Sequence, residues 1–194
     1  MKLSALAALV LVSVACGGGD GESVDAGGGD DGEDDGSGGT DGGADGEPAE
    51  LAGITAAHNR VRADHGVSPL AWDADLAAIA ADWAAGCRDQ DEPFGLIDHN
   101  PDRSDRFGSY VGENVYGASA QVDGPAAVDL WAAEEAAYDH ASNTCDGICG
   151  HYTQVVWADT TLMGCAAHAC PALTYGYTIV CDYAPGGNDG GRPY

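Results

Sequence analysis

Apolar residues recur at helical spacing from residue 51 onward. Ile54, Ala57 and Val61, with Leu51 ahead of them, form one stripe that runs to Gly66, and Pro69 follows, so a helix is predicted over 51–65. Leu76, Ile79, Ala80 and Trp83 fall at i, i+3, i+4 and i+7, with Asp73 or Asp75 placed to cap a second helix that ends near Gly86 and Cys87. A third stripe, from about Pro125 to His140, turns Val128, Trp131 and Tyr138 inward together with Glu134 or Glu135; periodicity alone leaves that choice open. Residues 88–109, rich in Asp, Pro and Gly, read as loop. The period then changes: Tyr152–Trp157, Leu162–His168 and Tyr175–Tyr183 read as strands parted by turns, the pattern of an antiparallel sheet. Helices first and strands late, without βαβ alternation, predict an α+β fold in layers.

Residues 1–50 follow another pattern. Lys2 precedes an apolar run, Leu3 to Ala15, too short to span a bilayer and matching the hydrophobic region of a secretory signal, so residues 1–15 are expected to direct export. Ser13-Val14-Ala15 before Cys16 resembles a bacterial lipoprotein signal, which implies a lipidated Cys16; an ordinary small-x-small cleavage site is the alternative. The rest of the 16–50 stretch is almost wholly Gly, Asp, Glu, Ser and Ala, a composition that cannot bury enough apolar surface to order itself and is expected to act as an acidic tether. Any membrane contact is then expected only through the lipidated N-terminus. Its Asp-Gly runs lack the spaced ligands and closing glutamate of an EF-hand loop.

Charge excludes one class of partner. Seven Lys and Arg stand against 32 Asp and Glu, a formal charge of −25 that repels polyanions, so nucleic acid is not an expected partner. Six of the seven cysteines, Cys87, Cys145, Cys149, Cys165, Cys170 and Cys181, lie in the 51–194 domain, and an even number in an exported chain predicts disulfides, with 15 pairings open. A zinc site on Cys145-x3-Cys149 and Cys165-x4-Cys170 is the rival, disfavoured by an oxidising compartment.

Several strings then occur in order: Ala57-His58-Asn59-Arg60, Pro69-Leu70-Ala71-Trp72, Gly112-Glu113-Asn114, Trp131-x-x-Glu134, Cys149-Gly150-His151-Tyr152-Thr153-Gln154-Val155-Val156-Trp157, and Cys181-Asp182-Tyr183 with Pro185-Gly186. Together they resemble the CAP superfamily (cysteine-rich secretory, antigen 5 and pathogenesis-related type-1 proteins, the SCP domain) across about 51–194, and its plant branch in particular. The resemblance implies a three-layer α-β-α sandwich around a central antiparallel sheet, and a cleft where two histidines and two glutamates converge. It assigns them to His99, Glu113, Glu134 and His151, with W-x-x-E spacing choosing Glu134 over Glu135. It also implies the pairings Cys87–Cys170, Cys145–Cys149 and Cys165–Cys181.

Two imidazoles facing one point suit Zn²⁺, held weakly and reversibly, with Glu113 and Glu134 as orienting carboxylates or occasional ligands; no organic cofactor is expected. His58 is expected to pack or cap locally, His65, His140 and His168 to be surface residues, and Trp72, Trp83, Trp131 and Trp157 to be core. The family resemblance implies a binding module outside the cell for a lipid, a sterol or another amphipathic ligand. A hydrolase whose metal-bound water is assisted by Glu113 or Glu134 is the alternative, and an adhesive or structural surface role is the third. No G-x-S-x-G elbow occurs to support a serine mechanism.

Overall fold

A computed structural model describes residues 46–92 and 94–194; the signal-like run, Cys16 and the tether up to residue 45 lie outside them. Glu47 is 4% exposed and accepts from the main-chain N–H groups of Gly53 and Thr55, both at 2.7 Å. Those are orphan donors at the start of α1 (Ile54–Asp64), whose own N-cap, Gly53, has no side chain to offer. A 3₁₀ turn, Ala49–Leu51, therefore precedes α1, where the sequence predicted one continuous helix from 51.

A two-residue strand β1 (Ala71–Trp72) leads into α2 (Ala74–Ala85), capped by the Asp73 carboxylate at the N–H groups of Asp75 and Leu76. The loop region 88–109 holds one short helix, α3 (Arg103–Phe107). A strand the sequence reading did not predict follows, β2 (Gly112–Ala118), and then α4 (Gly124–Ala133). The third predicted helix ends early: 134–137 tighten to a 3₁₀ turn, and Tyr138–Asp139 (β3) pairs with Thr144–Cys145 (β4). The predicted strand at Tyr152–Trp157 is helix instead, α5 (Gly150–Val155), before β5 (Leu162–Ala169) and β6 (Tyr177–Ala184).

The sheet runs β1-β5-β6-β2, antiparallel except for the short parallel edge β1. It is the middle of three layers. On one face β5 and β6 meet α1, α4 and α5 through Leu51, Ile54, Val128, Trp131, Tyr152 and Ile179, all 2% exposed or less. Complete burial of each such side chain stabilises by roughly 1.5–3 kcal/mol. On the other, α2 lies so close that a Cβ at Gly164 would collide with the Ala77 amide, and Ala80, Trp83 and Ala84 pack with Val115, Ala166 and Val180. Disulfides join Cys87 to Cys170, Cys145 to Cys149 and Cys165 to Cys181.

Arg62 ties the layers, and among the described residues no carboxylate pairs with it. Fully buried, it donates to the carbonyls of Ser68, Val155, Trp157 and Thr160 at 2.7–2.9 Å. Burial lowers it to about 10, which leaves it charged, and its donors hold the loop after α5 against the end of α1.

Candidate functional site

Each of the two glutamates clamps one histidine and the main chain beside it. Glu113, on β2, accepts from His99 Nδ1 at 2.6 Å and from the Asn100 N–H at 2.9 Å through the same oxygen. Glu134, at the end of α4, accepts from His151 Nδ1 at 2.7 Å, and its other oxygen takes the N–H groups of His151 and Tyr152 at 3.0 and 3.3 Å. Those two amides open α5, whose N-cap Cys149 makes no side-chain cap. A carboxylate at a helix start is favoured by the orphan N–H groups and the dipole there. This contact is why Tyr152–Trp157, β-rich by composition, begins as helix.

The two pairs adjoin through Asn114, the residue after Glu113. Its Nδ2 donates to the His151 carbonyl at 3.1 Å and to the Tyr183 hydroxyl at 3.3 Å. Tyr183 in turn donates to Nε2 of His58 at 2.8 Å, which fixes His58 as the Nδ1–H tautomer, donating to the Ile54 carbonyl at 2.9 Å. Burial holds His58 down at about 4, so it stays neutral and its network stays fixed at ordinary pH. His58 thus packs locally as expected, and it also props the site through Tyr183, a link across 125 positions that no local pattern signals.

The other side of the site rests on a buried acid pair. Asp182 faces Glu113 across the β2–β6 register, is 0% exposed, and among the described residues neither its oxygens nor Glu113 Oε2 meets a donor while both groups are ionised. Burial first, then the Glu113 charge, pushes the Asp182 carboxyl up to about 8. A proton on Asp182 supplies the missing donor, and the two acids share a hydrogen bond. The sequence reading named Asp182 only as part of a motif.

Both histidines spend Nδ1 on a carboxylate, and among the described residues no hydrogen bond engages Nε2 of either ring. That is the donor set of a histidine metal ligand, whose second nitrogen a carboxylate orients. The His99 side chain is 60% exposed and that of His151 29%. The four side chains stand as two adjoining pairs: among the described residues no three His, Cys, Asp or Glu side chains gather as one metal-holding group. A cavity of about 250 Å³ opens at the His99 end, lined by Glu113, Arg103, Tyr110 and Gln154 among others.

Elsewhere the expectations divide. Glu135 is exposed and lies 3.7 Å from Nε2 of His65. His65 is not a surface residue: its side chain is 14% exposed, edge-on to Tyr152 and tilted against Tyr194. His140 and His168 are exposed. Trp83, Trp131 and Trp157 are core, while Trp72 is half-buried against Gly46.

Residues 55–183 match the CAP family, the cysteine-rich secretory protein family. Pathogenesis-related protein 1 of Arabidopsis thaliana is 40% identical over 132 residues, covering 68% of this chain and 73% of that one. Pathogenesis-related protein 1A of Nicotiana tabacum is 42% identical over 142 residues, covering 71% and 77%. Among solved structures, venom allergen-like protein 4 of Schistosoma mansoni superposes with a TM-score of 0.58 at 28% identity, covering 75% of this chain and 94% of that one.

Proposed function

Because the chain belongs to the cysteine-rich secretory protein family, we propose that it is an extracellular binding module that takes a divalent metal, Zn²⁺ or a similar borderline ion, between His99 and His151. The family and three disulfides are consistent with work outside the reducing cytoplasm. One observation carries the metal reading: both rings are held by carboxylates at Nδ1, and among the described residues no hydrogen bond engages Nε2 of either. Two neutral imidazoles with open remaining positions suit weak, reversible binding. When bound, the ion would supply Lewis acidity; Glu113 and Glu134 hold the two rings in their Nδ1–H tautomers. Anchoring through a lipidated Cys16 completes the proposal, and an acylated N-terminal cysteine in the mass spectrum of the mature protein is its expected signature.

The test is calorimetric titration of Zn²⁺ into the purified protein and into His99→Ala/His151→Ala with disulfides intact. Binding by the first and none by the second is expected. Equal binding by both, or none by the wild type, rejects the site.

A further inference from the structure

A cavity lies away from both histidines, at the sheet edge. It has a volume of about 810 Å³ and is walled on one side by the α2 residues Ala74, Ala77, Ala78 and Ala81, on the other by Gly46 to Glu50, with Trp72 at one end. Its floor is the backbone of β5 at Cys165, Ala166 and Ala167. Position explains the gap. In a three-layer fold the middle layer's edge lies between the outer layers, and here the edge strand β1 covers only Leu162 and Met163 of the eight-residue β5. The chain leaves β1 at Trp72 for α2, and among the described residues no strand pairs with the rest of β5 on that side, although the 3₁₀ turn Ala49–Leu51 packs near it.

The register tells which groups are left open. Met163 accepts from the Asp73 N–H at 2.7 Å, so its carbonyl faces β1. In an extended strand this orientation repeats at every second residue, which turns the N–H and C=O groups of Cys165 and Ala167 the same way, past the end of β1. The Cα separation of 4.1 Å between Cys165 and Cys181 agrees, since close pairs in an antiparallel ladder are the ones not hydrogen-bonded to each other. Among the described residues no hydrogen bond reaches these outward groups.

From this slot we infer a second binding site, one that takes an extended, basic peptide as an added strand on β5. An acyl chain would fill the apolar walls and leave the edge N–H and C=O groups without partners; a peptide strand satisfies both. Side chains alternating along such a strand meet the alanines of α2 on one face and the 46–50 segment on the other, and the small residues leave room for them. Charge selects the peptide's sign. Glu47 and Glu50 line the cavity, none of its lining residues is Lys or Arg, and residues 17–45, which precede Gly46 in sequence, carry many acids and no Lys or Arg. That acidity, with the low strand propensity of Gly and Asp, also disfavours the chain's own tether as occupant. The wall is held in place by the two bonds from Glu47 into the start of α1.

The probe is the peptide acetyl-Lys-Val-Thr-Val-Thr-Val-Lys-amide, titrated into the ¹⁵N-labelled protein. Saturable shifts at the Cys165 and Ala167 amides are expected. N-methylation of alternate residues, which removes the donors along one edge, should weaken binding by at least about tenfold, and Glu in place of both Lys should weaken it in a manner that fades with salt. Ala78→Trp, on the exposed face of α2, should block the slot; Glu50→Lys, a surface change, should weaken the Lys peptide should the first variant fold poorly. Equal binding of the N-methylated peptide overturns the proposal. So does the absence of peptide binding, or binding of laurate but not peptide in a manner sensitive to Ala78→Trp, which would make the slot an acyl groove.

Discussion

Glu134 accepts three hydrogen bonds, two of them from the amides that begin α5, and the histidine it orients is half-buried. Glu113 accepts two through one oxygen, keeps the other against Asp182, and orients a histidine on a loop that is 60% exposed. The same side-chain bond is therefore built into the fold at one end of the site and hung from it at the other. Removing a group should cost stability at the His151 end and ligand affinity at both. The supports also titrate in opposite senses, since the His151 end leans on a histidine kept neutral by burial and the His99 end on a carboxylic acid kept protonated by it.

The largest effect is expected from Glu134→Ala. It strands two amides at the start of α5 and frees the His151 ring, a loss of about 2–4 kcal/mol in chemical denaturation; Glu134→Gln, which keeps an acceptor, should lose less than half of that. Equal losses would mean that the carboxylate charge, not the cap, carries the contact.

Asp182→Asn comes next, because an amide at this place donates to Glu113 without needing a proton. Folded Asp182 holds its proton up to about 8, while the unfolded group releases it near 4. Its contribution is thus complete below about pH 4 and is lost as pH rises to about 8. The variant should be more stable than wild type at pH 8, by on the order of a few kcal/mol, and should lack that slope.

His58 has the opposite sign. Its folded value of about 4 lies below the unfolded 6.5, so its contribution is complete above about 6.5 and is lost as pH falls to about 4. Melting wild type and His58→Gln across that window should show a steeper acid loss in the wild type.

The smallest effect on stability belongs to His99→Ala, within about 0.5 kcal/mol because the ring is mostly in water. Its loss of Zn²⁺ affinity should nonetheless match that of His151→Ala. A large melting shift in His99→Ala would erase the contrast between the two ends.

Local signals carried much of this fold. The Asp73 cap, the stripe from Leu76 to Trp83, and the strands β5 and β6 stand close to where pattern placed them. The two His–Glu pairs came from motif resemblance, which also separated Glu134 from Glu135. What local reading missed depends on distant partners. Residues 150–155 are helical because a carboxylate 17 positions upstream caps them, against their own β propensity. β2 lacks a local signal, although Val115 and Tyr116 lie within it, because its partner β6 follows 59 to 71 positions later, from Ala118↔Tyr177 to Gly112↔Tyr183. His65 carries no pattern of its own and packs against the rings of Tyr152 and Tyr194.

The most direct test of the metal site is long-range ¹H–¹⁵N NMR of the imidazoles in the purified protein during Zn²⁺ titration. Nδ1–H tautomers are expected for His99 and His151 before metal, with a shift of Nε2 in both rings at one common midpoint. Shifts in only one ring, or a metal-bound Nδ1, would contradict it.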